Sequence, residues 1–281
     1  MFERRTGLIV GLLLVACAPA AAQDIRTLTS LRQRQGEERL EVDVEYGAGR
    51  LSLEPAARGL LYRATMRYDA NAFRPVIEYR SGHLELGMKG SRNLRGKHRA
   101  SRLQLALGPD VPLDLSISFG AGQADLELGG LRLREADIST GASETSLRFS
   151  RPNAERGRSL RLHVGAAEFH AYQLGNANFE RVEFEGGVGD ILLDFTGDWR
   201  GDMAANIDMG LGALTLRLPH GLGVRVTKDT FLSSFTAHGL VKRGESYYSE
   251  NWDSARHRLT INIDAALGSI DITWVAGDGA V

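Results

Sequence analysis

Residues 113–128 read Leu-Asp-Leu-Ser-Ile-Ser-Phe-Gly-Ala-Gly-Gln-Ala-Asp-Leu-Glu-Leu. Apolar residues alternate with polar ones on both sides of Gly120-Ala121-Gly122, the period of a strand with one buried and one wet face. Counting back from Gly120 gives Phe119, Ile117 and Leu115; counting on from Gly122 gives Ala124, Leu126 and Leu128. A strand that turns a sharp corner needs backbone angles closed to bulky residues, and glycine supplies them. The stretch reads as strand, small-residue corner, strand.

The same unit recurs along the chain. Gly47-Ala48-Gly49, Gly187-Val188-Gly189 and Gly210-Leu211-Gly212 repeat the corner, and Gly141-Ala142-Ser143, Gly165-Ala166-Ala167 and Ala266-Leu267-Gly268 are degenerate copies. From 120 the first small residues fall at 141, 165, 187 and 210, intervals of 21, 24, 22 and 23 residues. The flanks keep the alternation: Val42, Val44 and Tyr46 precede Gly47, and Leu214, Leu216 and Leu218 follow Gly212. Such units, stacked in register, pair their backbones from rung to rung and fill a continuous interior with the alternate side chains. An antiparallel sandwich also spaces its strands evenly, but its hairpins favour Asn-Gly or Asp-Gly turns. This chain has no Asn-Gly, and no Asp-Gly before Asp278-Gly279.

The expected fold is therefore all-β, a single-stacked β-solenoid-like domain over 113–276. Its corners are marked by Gly47, Gly49, Gly120, Gly122, Gly187, Gly189, Gly210, Gly212 and Gly268. A small, mainly β module or cap over 23–112 precedes it, and 277–281 form a tail. Within the module a polar, helical or frayed stretch is expected from Ser30 to Glu38, strands at Leu60–Tyr68 and Pro75–Tyr79, and an exposed basic loop from Lys89 to Arg102. That loop is a candidate contact for anionic head groups or polymer on charge alone. Gly221 to Arg258 reads as an excursion before the last rung.

Composition fits this picture. The 281 residues hold 33 glycines, about 12% against a usual 7% or so. With 43% hydrophobic and 25% charged residues the chain has the makings of a packed core, and a net charge of −1 offers no basic excess for a nucleic-acid backbone.

The first residues read as an export signal. Arg4 and Arg5 precede an apolar run to Ala16, too short to span a bilayer, and Ala20-Ala21-Ala22 stand before Gln23 as a cleavage site, giving a signal peptide over 1–22. Leu14-Val15-Ala16-Cys17 also matches a lipobox, in which case the leader is 1–16 and Cys17 is lipidated and becomes the mature N-terminus. Either reading exports the protein, to the periplasm, to the outer membrane as an anchored lipoprotein, or outside the cell. Membrane contact is expected only through the lipid anchor, since no later run of 18 or more apolar residues exists. Cys17 is the one cysteine, so disulfides and thiolate metal sites are excluded from the folded part.

At this point the chain resembles the toastrack-type domains of bacterial cell-envelope proteins, a group that includes adhesin-like and cell-wall-active antibiotic response proteins. The resemblance rests on the repeated Gly-x-Gly between alternating strands and on Tyr247-Tyr248-Ser249-Glu250-Asn251-Trp252, leading through Leu259-Thr260-Ile261-Asn262-Ile263 to Leu267-Gly268-Ser269-Ile270-Asp271-Ile272. It covers 110–275 best, with 35–110 resembling the N-terminal module that often precedes such domains. The resemblance implies a rack of stacked strands, export to the envelope, and a non-enzymatic role in adhesion, scaffolding or envelope-stress signalling. Some relatives carry membrane helices beside the rack; this chain has none.

Catalytic patterns are missing. No Gly-x-Ser-x-Gly elbow occurs, and the Gly-x-Gly pairs lack the third glycine and following helix of a dinucleotide site. Among seven histidines, His163 and His170 flank the corner at Gly165 with Glu168 as the nearby third donor, a pattern better read as solvent-facing strand residues than as a metal site. Asp190, Asp194, Asp198, Asp202 and Asp208 lie near corners without the nine-residue repeat of calcium-binding rolls. Asp125, Asp194 and Asp208 would have to share one face for a carbohydrate-active enzyme on a β-helix. Tyr247, Tyr248 and Trp252 form either a cap on the last rung or a contact patch. No catalytic residue, metal or cofactor is expected. The function expected is an exported, non-enzymatic scaffold, adhesin-like or surface-binding module, whose partner is an envelope protein, glycan or cell-wall polymer. The alternatives are an accessory of envelope-stress signalling and the β-helix enzyme.

Overall fold

The computed structural model describes residues 24–90 and 101–275. The leader with Cys17, residues 91–100 of the basic stretch, and the tail lie outside the described residues. The described chain forms one open sheet of 15 strands and a single 3-10 turn, Leu174–Ala177. No helix among the described residues is long and apolar enough to cross a membrane.

The stack is built from long strands bent at small-residue corners, β2 (Leu40–Pro55), β7 (Pro112–Glu127), β8 (Arg132–Arg148), β9 (Gly157–Tyr172), β10 (Phe179–Asp194), β11 (Met203–Pro219) and β15 (Arg258–Val275), with β12 (Gly223–Ala237) a further rung that lacks the small-residue corner. Neighbouring rungs pair in parallel with corner on corner: Gly49 faces Gly122, Gly189 faces Gly212, and Gly212 faces Gly268. Parallel strands ordinarily need a crossover of a dozen or more residues. Here the second limb of each bent strand carries the chain back, so β7 reaches β8 through 128–131 alone.

The alternation read from the sequence becomes columns of core. Val44, Ile117, Ile138, Leu162, Phe184, Ile207 and Ile263 follow one another up the first limb, and all are buried. Leu51, Ala124, Phe169, Ile191, Leu214 and Ile270 do the same in the second limb, with buried Thr145 completing the column. The glycines keep the rungs at sheet distance: a Cβ on Gly120 would run into the carbonyl of Gly47, and one on Gly212, where φ is +140°, into that of Gly189.

Two expectations are corrected. The stretch from Ser30 to Glu38 is not helical: β1 (Ile25–Gln33) runs into it as a strand antiparallel to β3 (Leu60–Asp69). As an edge strand wet on most of its surface, β1 needs no apolar alternation, and its polar sequence hid it. The excursion from Gly221 to Arg258 holds a complete rung, β12, and in space β15 is inserted between β11 and β12. The final rung in the sequence is thus the penultimate rung of the stack.

The two ends differ. The free side of β2 is covered on its first limb by β5 (His83–Gly90), backed by β4 (Phe73–Arg80), and on its second by β6 (Arg102–Leu107), then β3 and β1. The strands expected at Leu60–Tyr68 and Pro75–Tyr79 are β3 and β4. At the other end, β14 (Ser246–Ser249), backed by β13 (Leu240–Arg243), covers β12 only at Arg225–Thr227. Among the described residues, Thr230–Ala237 of β12 pairs with β15 alone.

Candidate functional site

Parallel stacking in register converts equivalent positions into continuous columns, each a surface feature one residue wide. Two residues before each corner stand Glu45, Ser118, Ser139, His163, Glu185, Asp208 and Asp264, aligned rung by rung, with Asp229 of β12 last. Beside them the corner glycines, without side chains, leave a trough. All but Asp229, with the corner glycines, line a groove of about 1090 Å3 that runs from β2 to β15, closed at the N-terminal end by Val76, Gly87, Met88 and Lys89 of the β4–β5 hairpin. Thr140, which also lines it, keeps a buried hydroxyl with no hydrogen-bond partner.

The column changes character along its length. It is a carboxylate and two hydroxyls at the N-terminal end, then His163, then carboxylates alone. His163 Nδ1 lies 3.1 Å from Glu185 Oε2. Beyond it, burial and then the charges of Asp264 and Glu185 push the Asp208 carboxyl above the usual carboxylate range.

The middle residue of each corner forms a second column just across the bend: Ala48, Ala121, Ala142, Ala166, Val188, Leu211, Leu267 and Leu232. The last four are exposed at 51%, 46%, 41% and 65%.

The chemistry considered from sequence is not brought together. His163 and His170 sit on opposite limbs of β9, and His170 meets Glu168 at 3.7 Å and Tyr172 at 3.4 Å instead. Asp194 is buried, paired with Arg217 at 3.2 Å and accepting the Thr196 N–H. Asp125 lies on the second limb of β7 and Asp208 on the first limb of β11, so the three carboxylates share no face. Of the remaining aspartates, Asp198 meets Arg200 at 3.6 Å and Asp202 accepts the Arg258 N–H. Tyr247, Tyr248 and Trp252 are half-buried; Tyr247 packs on Phe235 with ring centres 5.0 Å apart, and Tyr248 meets Trp252 edge-on at 5.6 Å. Arg225 and Arg258 lie over the Trp252 ring.

Sequence reading missed a cluster formed by Glu41, Asp43 and His83, whose donor atoms lie within 4.8 Å of one another. His83 was unplaceable without knowing that β5 pairs with β2. Its Nδ1 is 3.8 Å from Glu41 and its Nε2 3.4 Å from Asp43. The carboxylates face opposite ring nitrogens, whereas a shared ion needs one nitrogen and both carboxylates on a common point.

An open rack of bent parallel strands, with a groove along its corners, places the protein among the all-β toastrack folds. The family described as the N-terminal domain of toast_rack, DUF2154, matches residues 21–169 and 153–217, and the chain belongs to it. Among solved structures, a putative cell adhesion protein from Clostridium sporogenes is 18% identical, covering 89% of this chain and 100% of its own, with a TM-score of 0.49. A putative adhesin from Bacteroides fragilis is 11% identical over 88% of this chain and 97% of its own, with a TM-score of 0.42. A putative lipid binding protein from Parabacteroides distasonis is 10% identical over 88% and 96%, with a TM-score of 0.34. No curated protein matches.

Proposed function

We propose that this protein is an exported, non-enzymatic binding module of the bacterial envelope, and that it binds through the groove along its corners. The carrying observation is the groove itself, about 1090 Å3 of preformed trough spanning the rungs, with a repeated wall and a glycine floor that lets a ligand approach the backbone. A wall repeating every rung suits many weak contacts along an extended partner such as an envelope protein, glycan or wall polymer. The titratable groups support binding over catalysis. They lie in columns, one per rung, and the carboxylates named from sequence do not converge on one point. Export rests on the leader, and the mass of the mature N-terminus separates cleavage after Ala22 from lipidation at Cys17.

The test fills the groove without touching the core. Ser118 and Ser139 project from the outer side of β7 and β8 into it. Ser118→Arg and Ser139→Arg are expected to leave the melting temperature unchanged and to weaken binding of the labelled, purified protein to bacterial envelope preparations. Binding that survives both substitutions sinks the groove as the contact surface.

A further inference from the structure

The C-terminal half of the stack carries two parallel columns that its N-terminal half lacks. One is the apolar ridge Val188, Leu211, Leu267 and Leu232, on adjacent rungs and all exposed. The other is the carboxylate ladder Glu185, Asp208, Asp264 and Asp229, three residues earlier on the same four rungs. Large apolar side chains are free to be scattered on a surface, but four in one row mark a contact. The ladder points the same way. Like charges directly opposite across strands oppose folding, and among the described residues Asp208, Asp229 and Asp264 have no ion pair; only Glu185 has one, with His163. Lys228, which shares the adjoining hollow with these aspartates, turns its ammonium to Thr230 Oγ1 at 3.0 Å. Four uncompensated or barely compensated anions beside four exposed aliphatic chains are complementary to something both cationic and apolar.

Spacing selects its shape. Rungs lie about 4.8 Å apart, so the four-rung ridge is about 14 Å long. An α-helix laid along the stack presents side chains at i, i+3, i+7 and i+10 over about 15 Å. An extended strand needs about 20 Å for four side chains on one face and drifts out of step. We propose that this face docks a cationic amphipathic helix of a partner polypeptide, with its apolar stripe on Val188, Leu211, Leu267 and Leu232 and its lysines or arginines over the carboxylate ladder. This is recognition of an amphipathic helix through its apolar stripe, with charge fixing the orientation. It rests on the reading of the protein as a binding module and names the partner's chemistry at the C-terminal half of the rack, where Glu185, Asp208 and Asp264 line the groove and the ridge runs beside it. The ladder argues against the other occupants: it repels an anionic bilayer, and a second copy placed ridge to ridge brings two ladders into one interface.

The probe is a labelled 14-residue peptide with leucines at i, i+3, i+7 and i+10 and lysines flanking them, titrated against the full purified protein by fluorescence anisotropy. Controls are a scrambled peptide of the same composition and one with glutamate for lysine. Saturable binding is expected, weakened by salt, with both controls at least about tenfold weaker. The double variants Asp208→Asn/Asp264→Asn and Leu211→Ser/Leu267→Ser, all at exposed positions, are each expected to weaken it about tenfold while the protein stays folded. Equal binding of the scrambled peptide, or indifference to both variants, overturns the proposal. So does a wild-type dimer in sedimentation that Leu211→Ser/Leu267→Ser returns to monomer. Envelope binding that persists while the peptide fails overturns this partner chemistry and leaves the binding reading standing; loss of both removes the two together.

Discussion

At the scale of single residues, the corner positions separate glycines that the stack requires from glycines it merely tolerates. Gly212 has φ of +140°, and a Cβ there would strike the carbonyl of Gly189 on the neighbouring rung, whereas a Cβ on Gly47 would meet nothing within 4 Å. Gly212→Ala is expected to destabilise the protein by more than about 2 kcal/mol, through strain and the separation of two rungs, and Gly47→Ala by less than about 0.5 kcal/mol; denaturant melts of the two variants check the contrast. Asp208 makes the opposite case, a residue whose loss helps. Its carboxyl is harder to ionise in the folded protein than in the unfolded chain, because of its partial burial and of Asp264 and Glu185. The stability it contributes is therefore fully present below the pH at which the unfolded chain's aspartate titrates, and is lost as pH rises through the folded value. Asp208→Asn is expected to stabilise the protein at pH 7 by about 0.2–1 kcal/mol, with the gain vanishing in acid. A variant no more stable than wild type at pH 7 would show that the ladder carries no repulsion.

The elements owe their cohesion to their connections as much as to their limbs. Between β8 and β9, Asn153 is buried; its Oδ1 accepts the Leu133 N–H and its Nδ2 donates to the Leu133 carbonyl, both at 2.9 Å. One connection further on, Asn176 donates to the Phe149 carbonyl at 2.8 Å and accepts the Asp198 N–H at 2.7 Å. These amides replace the ladder hydrogen bonds where the chain leaves the sheet. Asn153→Ala leaves a buried N–H and C=O of Leu133 unpaired, and a loss of about 1–3 kcal/mol in urea unfolding is expected; a loss under 0.5 kcal/mol would show that water or relaxation serves as well. The limbs were legible in the sequence because Leu115, Ile117 and Phe119 alternate with wet positions and a glycine corner follows. The asparagines were not, since an isolated Asn in a loop looks the same whether it braces a rung or faces water. Strand β1 was illegible for a related reason: wet over most of its length, it leaves no period of two to read.

Across the whole molecule, the order of rungs in space departs from their order in the chain, and no local pattern could have revealed it. Residues 261–272 and 224–237 carry the same inward and outward alternation, so either could have closed the stack. The carboxylate ladder was hidden in the same way: Glu185, Asp208, Asp264 and Asp229 belong to no motif and become neighbours only through register. A stack in which each rung touches only its neighbours has a stability profile set by position. Interior rungs β9, β10 and β11 are hydrogen-bonded on both edges, as is β15, while the second limb of β12 is held on one edge alone among the described residues. Amide hydrogen exchange should therefore be slowest in the inner rungs and fastest, within the rack, over Ser233–Ala237, with opening free energies differing by at least about 2 kcal/mol. The decisive comparison is β15 with β12. If fraying followed the chain, β15, nearest the C-terminal end, would exchange first. If it follows the stack, Leu267–Ile272 stay protected while the facing Leu232–Ala237 open, because β12 can peel from β15 without disturbing the pairing of β15 with β11.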